Sequence, residues 1–271
     1  MVSRSKAELY KEYFGRIIDS MPRLIAEGRV PMNVSQLMQI RLGVKNAEGA
    51  IKSSWIENYF ETGDAIAYKD DKLKVIADSA YLRRINSQSR IENGALLLED
   101  GAYESLEGPE FKRKELEGLV GIKLDTRQAK SHPIWKVLAK NQASLDEYVP
   151  YIFAEAKAIN YGMATGAMGV FLAKPVKFPT MRICSVKDCS DIDNRDGLGG
   201  NFNRVIGIAP GLKMVTPMAA PIANYGGSRS THKSYGGADQ ISRKKSSERV
   251  RSSTRELPIL EPNVSIHFFV D

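Results

Sequence analysis

Cysteine is scarce in this chain: Cys184 and Cys189 are the two thiols in 271 residues. Two cannot build the disulfide framework of a small secreted protein, so reduced thiols and an intracellular location are expected. Long apolar runs are missing too. Nothing approaches the roughly 18 consecutive apolar residues that span a bilayer, and Met1 leads into the charged segment Ser3-Arg4-Ser5-Lys6-Ala7-Glu8 rather than a secretory signal. The expectation is a protein with no membrane partner. Neither a Walker A sequence nor a G-x-S-x-G elbow is present. Gly162, Gly166 and Gly169 lie between a predicted helix and a predicted strand, and Gly197, Gly199 and Gly200 also precede a strand. Both orders are the reverse of the strand-to-helix order that cradles phosphate. No repeat of about 20 to 50 residues suggests a solenoid. No cofactor or catalytic residue is therefore named.

What the chain has in quantity is positive charge, and it is concentrated. Residues 224–255 carry eight basic side chains (Arg229, Lys233, Arg243, Lys244, Lys245, Arg249, Arg251, Arg255) against Asp239 and Glu248, a net of +6. The whole chain is +7, which leaves +1 for everything else. Lysine and arginine displace counterions from phosphates, and Tyr225 and Tyr235, each followed by Gly-Gly, are able to stack on bases. Few apolar residues in this arm offer a burying face, so a solvated, disordered loop with no specific partner is the competing reading.

The chain as a whole, 42% hydrophobic and 26% charged, is ordinary for a globular protein. Leu9, Tyr13, Ile17 and Met21 recur every fourth residue after a Ser5/Glu8 capping box and predict a first helix, stopped or kinked by Pro22. Asn33 or Ser35 caps a second helix closed by Gly43, and a third runs from about Ile51 to Phe60. Ala65–Tyr68 and Leu73–Ile76 flank Asp70-Asp71 as a hairpin, and Asn93-Gly94 marks a further turn. Short helices broken by glycine are expected from Asp100 to Lys123. Pro133 suits the first position of a helix, and Ser144/Glu147 opens another that Pro150 should kink or divide. Strands are predicted at 169–173, 180–186 and 203–209, with a last one at 264–270 that returns to the sheet.

Four further constellations invite chemistry. Helix, helix, helix, hairpin is the order of a winged helix, with Lys52, Ser53, Ser54 and Asn58 facing DNA and residues 70–74 as the wing. Against it, residues 1–78 hold 12 basic and 11 acidic residues, and the wing tip carries two aspartates. The loop from Asp188 to Gly197 gathers Asp188, Asp191, Asp193 and Asp196, oxygens suited to Ca²⁺ or Mg²⁺, but its spacing fails the EF-hand. An exposed hairpin loop uses the same residues. Cys184 and Cys189 with His232 or His267 make a zinc site on paper, although a buried strand cysteine acts as a small hydrophobe. His132 before Pro133 reads better as a helix-start histidine than as a general base.

Three stretches follow: a helical subdomain with a hairpin at 1–78, winged-helix-like in element order; a mainly helical middle at 79–161; and a β-rich region at 162–271 holding the basic arm. The fold class expected is α+β, with helical N-terminal and middle regions, a small β-hairpin and a mostly antiparallel C-terminal sheet. The function expected is non-enzymatic: a nucleic-acid-associated or assembly protein whose arm contacts a polyanion without sequence specificity. The alternatives are a homo-oligomeric structural subunit of a particle or shell, such as a virion component, and a metal-dependent enzyme built on the aspartate loop.

Overall fold

The chain enters its fold as a strand, not a helix. β1 (Tyr10–Gly15) pairs along its full length with the last described strand, and α1 (Ile17–Ala26) begins only after Gly15 turns the backbone at φ 114°. A spacing of four is also a multiple of two, so an every-fourth-residue pattern satisfies a strand as well as a helix. The aromatic residues Tyr10, Tyr13 and Phe14 favour the strand once a partner is present. The computed structural model describes residues 9–159, 166–187, 189–195, 197–201 and 203–210. The basic segment 224–255 and the expected strand at 264–270 lie outside them.

The next elements are β2 (Val30–Pro31), α2 (Val34–Gly43) and α3 (Gly49–Ile56). Asn33 caps α2 as the sequence suggests. Its side chain accepts from the Gln36 amide at 2.9 Å, and Gln36 returns a bond to the Asn33 amide. β3 (Phe60–Lys69) and β4 (Lys72–Ile76) form the expected hairpin, turned by Asp70 at φ 53°. β5 (Ile91–Glu92) and β6 (Ala95–Leu97) enclose Asn93-Gly94, both at positive φ, as a two-residue turn requires. α4 (Ala102–Ser105), β7 (Glu110–Lys112) and β8 (Lys123–Leu124) fill the glycine-rich stretch. A helical layer follows: α5 (Thr126–Ser131), α6 (Pro133–Ala139) and α7 (Gln142–Ala158). Pro150 neither divides nor ends α7, which runs for 17 residues. The remaining strands are β9 (Met168–Phe171), β10 (Thr180–Lys187), β11 (Ser190–Asp193) and β12 (Asn203–Ile208).

All twelve strands join one sheet, whose main path runs β1-β12-β3-β10-β11-β9-β8. Most pairings are antiparallel, but β11/β9 and β12/β3 are parallel, so the sheet is mixed. This overturns the expected α+β plan of helical N-terminal and middle regions with a small hairpin. The hairpin is no peripheral wing, because β3 lies at the centre of the sheet between β12 and β10. The error has a physical cause: β1 finds β12, and β3 finds β10, across more than a hundred residues, and local periodicity carries no information about such partners.

Both faces of the sheet are covered. On one, α2, α3, α5, α6 and α7 bury a cluster containing Trp55, Phe60, Tyr68, Trp135, Leu138, Tyr148, Ile192 and Ile206. On the other, α1 and the segments around β5, β6 and α4 cover Tyr13, Leu24, Ala65, Ile85, Met181, Ile183 and Val205. With cover on both sides, β10 and β12 are buried at nearly every position, polar residues such as Arg182, Ser185 and Arg204 included. Among the described residues no helix is long and apolar enough to cross a membrane.

Candidate functional site

Strand register assembles a polar row that no linear motif announces. Ser185 on β10 stands opposite both Glu61 on β3 and Asp193 on β11, and Glu61 stands opposite Val205 on β12. Cross-strand partners share a face, so these side chains line up beneath the Val205 side of the sheet. Glu61 is 2% exposed, and the Ser185 hydroxyl donates to it at 2.5 Å. Burial pushes the Glu61 carboxyl up to about 6, against the Ser185 bond and the charge of Lys187. Asp193 behaves oppositely. Burial opposes its ionisation, but the Arg195 guanidinium (3.0 and 2.8 Å), the Arg195 amide (2.9 Å) and Lys187 outweigh that and hold it below the usual carboxylate range. Ser185 is fully buried, so the Glu61–Ser185 hydrogen bond lies inside the sheet, away from solvent.

A second network pins the β10–β11 turn to the helices. Buried Arg41 donates to the Trp55 carbonyl at 2.8 Å, the Tyr148 hydroxyl at 2.9 Å, Ser190 Oγ at 3.2 Å and the Cys189 carbonyl. Asn194 closes the far end of β11, accepting from Tyr68 at 2.6 Å and donating to the Arg182 and Ile183 carbonyls. These bonds satisfy backbone groups that the short β11 ladder leaves open.

The helical layer carries a depression of about 470 Å³ lined by Thr126, Arg127, Lys130, Ser131, Lys136 and Gln142. Arg127 and Lys130, three apart on α5, share a helix face. α6 adds Lys136. Gln142 Nε2 ties the start of α7 to the Lys130 carbonyl and to Asp146, both at 3.1 Å. The spacing of Arg127 and Lys130 was readable in sequence; the approach of Lys136 depends on the turn through His132 and Pro133.

The residues singled out by sequence separate. Arg229, Lys233, Arg243, Lys244, Lys245, Arg249, Arg251, Arg255, Tyr225 and Tyr235 lie outside the described residues, as do His232 and His267. Cys184 and Cys189 are both buried. Burial raises the Cys184 thiol well above its ordinary range, and Cys189 contributes its carbonyl to Arg41. Asp191 and Asp193 belong to β11 rather than to a loop, and pair with Lys123 and with Arg195 and Lys187. Asp188 and Asp196 lie outside the description. Among the described residues no group of three or more His, Cys, Asp or Glu side chains is placed to hold a metal ion. His132 is the N-cap of α6: Nδ1 accepts from the Ile134 amide at 3.2 Å, and Nε2 donates to the Leu119 carbonyl at 3.0 Å. Burial lowers its pKa to about 4, so it stays neutral. On α3, Lys52 pairs with Glu155 and Ser54 is buried, and Asn58, past the end of the helix, bonds back to the Ser54 carbonyl.

No protein-family model matches this sequence, and no curated protein matches it either. A solved structure described as "Accommodation of massive sequence variation in Nanoarchaeota by the C-type lectin fold" is similar over 77% of this chain and 100% of its own, at 15% identity and a TM-score of 0.53. At that identity the likeness speaks to architecture alone: the fold of this chain is similar to the C-type lectin fold.

Proposed function

We propose that this protein is a non-enzymatic binding protein in which a C-type lectin fold carries a basic segment, residues 224–255, that contacts nucleic acid or another polyanion through charge rather than sequence. The observation that carries this reading is the +6 net charge of those 32 residues in a chain of +7. Lysines and arginines that contact the phosphate backbone position a nucleic acid but carry no base code. The similar structure concerns the accommodation of massive sequence variation by this fold, which supports treating the body as a frame that tolerates change elsewhere. Two cysteines in 271 residues fit an intracellular setting.

The test is anisotropy of labelled random oligonucleotides titrated with the full chain across salt. Around five phosphate contacts give a slope of log K against log salt of about −3.5 for single strands and about −4.5 for duplex. Replacing Arg243, Lys244 and Lys245 with alanine should flatten it by about 2 to 3 units. No measurable binding at about 50 mM salt, where screening is weak, would overturn the reading and favour a structural subunit.

A further inference from the structure

We propose that the depression where α5, α6 and the start of α7 meet is a phosphate-contacting surface of the folded body that takes the phosphate backbone of a nucleic acid. The inference shares the polyanionic partner of the proposed function and rests on that reading for the partner's class, but it stands on different residues.

Three observations carry it. The first is that the lining is cationic and hydroxylic, Arg127, Lys130 and Lys136 with Thr126 and Ser131, and includes no carboxylate among the described residues. Two acids beside it are already engaged: Asp125 caps α5 through the Gln128 amide, and Asp146 accepts from Gln142 at the rim. The second is that none of the three cations makes an ion pair among the described residues, whereas other cations facing α7 do. Lys45 meets Glu147 at 3.8 Å and Lys52 meets Glu155 at 3.0 Å. The third is that helix stability does not account for Arg127. It occupies the first turn of α5, where the positive end of the helix disfavours a cation. Lys130 and Lys136, in last turns, are compatible with their helices; Arg127 is placed against its own.

The shape selects among anions. Pockets that enclose a small ligand are concave and bury most of its surface. Here Thr126, Arg127, Ser131, Lys136 and Gln142 are exposed and Lys130 half-buried, which leaves an open trough that a chain of phosphates can cross.

The experiment compares four forms of the full chain: unaltered, arm-neutralised (Arg243→Ala, Lys244→Ala, Lys245→Ala), trough-neutralised (Arg127→Gln, Lys130→Gln, Lys136→Gln), and both. Arg127 and Lys136 are exposed and Lys130 half-buried, and matching melting curves confirm the fold. With a labelled random single strand, trough neutralisation should flatten the salt slope by about 2 units in either arm background, about 0.7 for each phosphate lost. A slope unmoved by the trough changes overturns the proposal, and if the arm changes still flatten it the arm reading survives alone. Flattening by the trough and not by the arm upholds the trough while removing the arm. Saturable binding of inorganic phosphate at matched ionic strength, with the strand's slope unmoved, would assign the trough to free phosphate and overturn the nucleic-acid partner.

Discussion

Glu61 and Asp64 sit three residues apart on β3, and both carboxyls are pushed up to about 6 by burial. Their partners differ. Asp64 accepts two backbone amides, Val34 at 2.6 Å and Asp78 at 2.7 Å, so both oxygens must remain acceptors. Glu61 is approached by one hydroxyl, Ser185, which a glutamine oxygen also satisfies. A carboxyl raised from 4.5 to about 6 holds its proton more tightly folded than unfolded. Its contribution is therefore complete below about 4.5 and lost as pH rises through about 6. Glu61→Gln should match the parent near pH 4 and exceed it at pH 8 by about 2 kcal/mol, read from urea unfolding at the two pH values. A difference that does not grow with pH would show that Glu61 is not the strained acid. His132 titrates in the opposite sense: lowered to about 4, it contributes fully above 6.5 and is lost as pH falls through about 4. Using the Gln variant as comparator cancels that background.

At the scale of elements, β3 contains an irregularity that explains Asp64. Ile183 faces Ala65 while Ser185 faces Glu61, so Thr62, Gly63 and Asp64 together oppose Cys184. Bulges re-aim side chains and accept glycine readily. Here the displaced segment turns the Thr62 hydroxyl to the Cys184 carbonyl at 2.8 Å and Asp64 to the start of α2. The Gly63 signal was present in sequence, but the strand was expected to start at Ala65 and the glycine fell outside it. Pro150 was a breaker that did not break. The tertiary contacts of Leu145, Tyr148, Val149 and Ile152, all buried, hold both halves of α7 against the sheet and outweigh the missing amide. Pro150 itself is exposed, so Pro150→Ala should restore a bond to the Asp146 carbonyl at no cost in packing. It should stabilise by about 1 to 3 kcal/mol, measured as a rise in denaturation midpoint; a fall would mean that the ring's fixed φ is needed where it stands.

For the molecule as a whole, two apolar clusters share one sheet. Ala65, Ala67, Met181 and Ile183 face one side, while Ile66, Tyr68, Cys184 and Val186, on the same two strands, face the other. Neither face survives loss of β3 or β10, so the described body should unfold as a single unit. Leu24→Ala on one side and Leu138→Ala on the other, both fully buried, should each cost about 2 to 5 kcal/mol. Each should shift the same single transition, followed by tryptophan fluorescence and circular dichroism together. Divergent midpoints from the two probes would show that the faces melt separately.

Local chemistry alone determined the Asn33 cap, the Asp70-Asp71 and Asn93-Gly94 turns, Pro133 at the start of α6, and strands at β9, β10 and β12. Each depends on residues within a few positions of one another, where side-chain geometry and allowed φ act directly. Composition likewise determined where the net charge lies. Tertiary structure decided the rest. β1 became a strand because β12 is beside it, since a four-residue spacing suits either element. β11 was hidden in an aspartate-rich stretch because its carboxylates are neutralised by Lys123, Lys187 and Arg195, which arrive from β8, β10 and the following loop. The Glu61–Ser185–Asp193 row and the Arg127–Lys130–Lys136 trough exist only through register and helix packing, which act between residues distant in the chain and leave no local pattern in it.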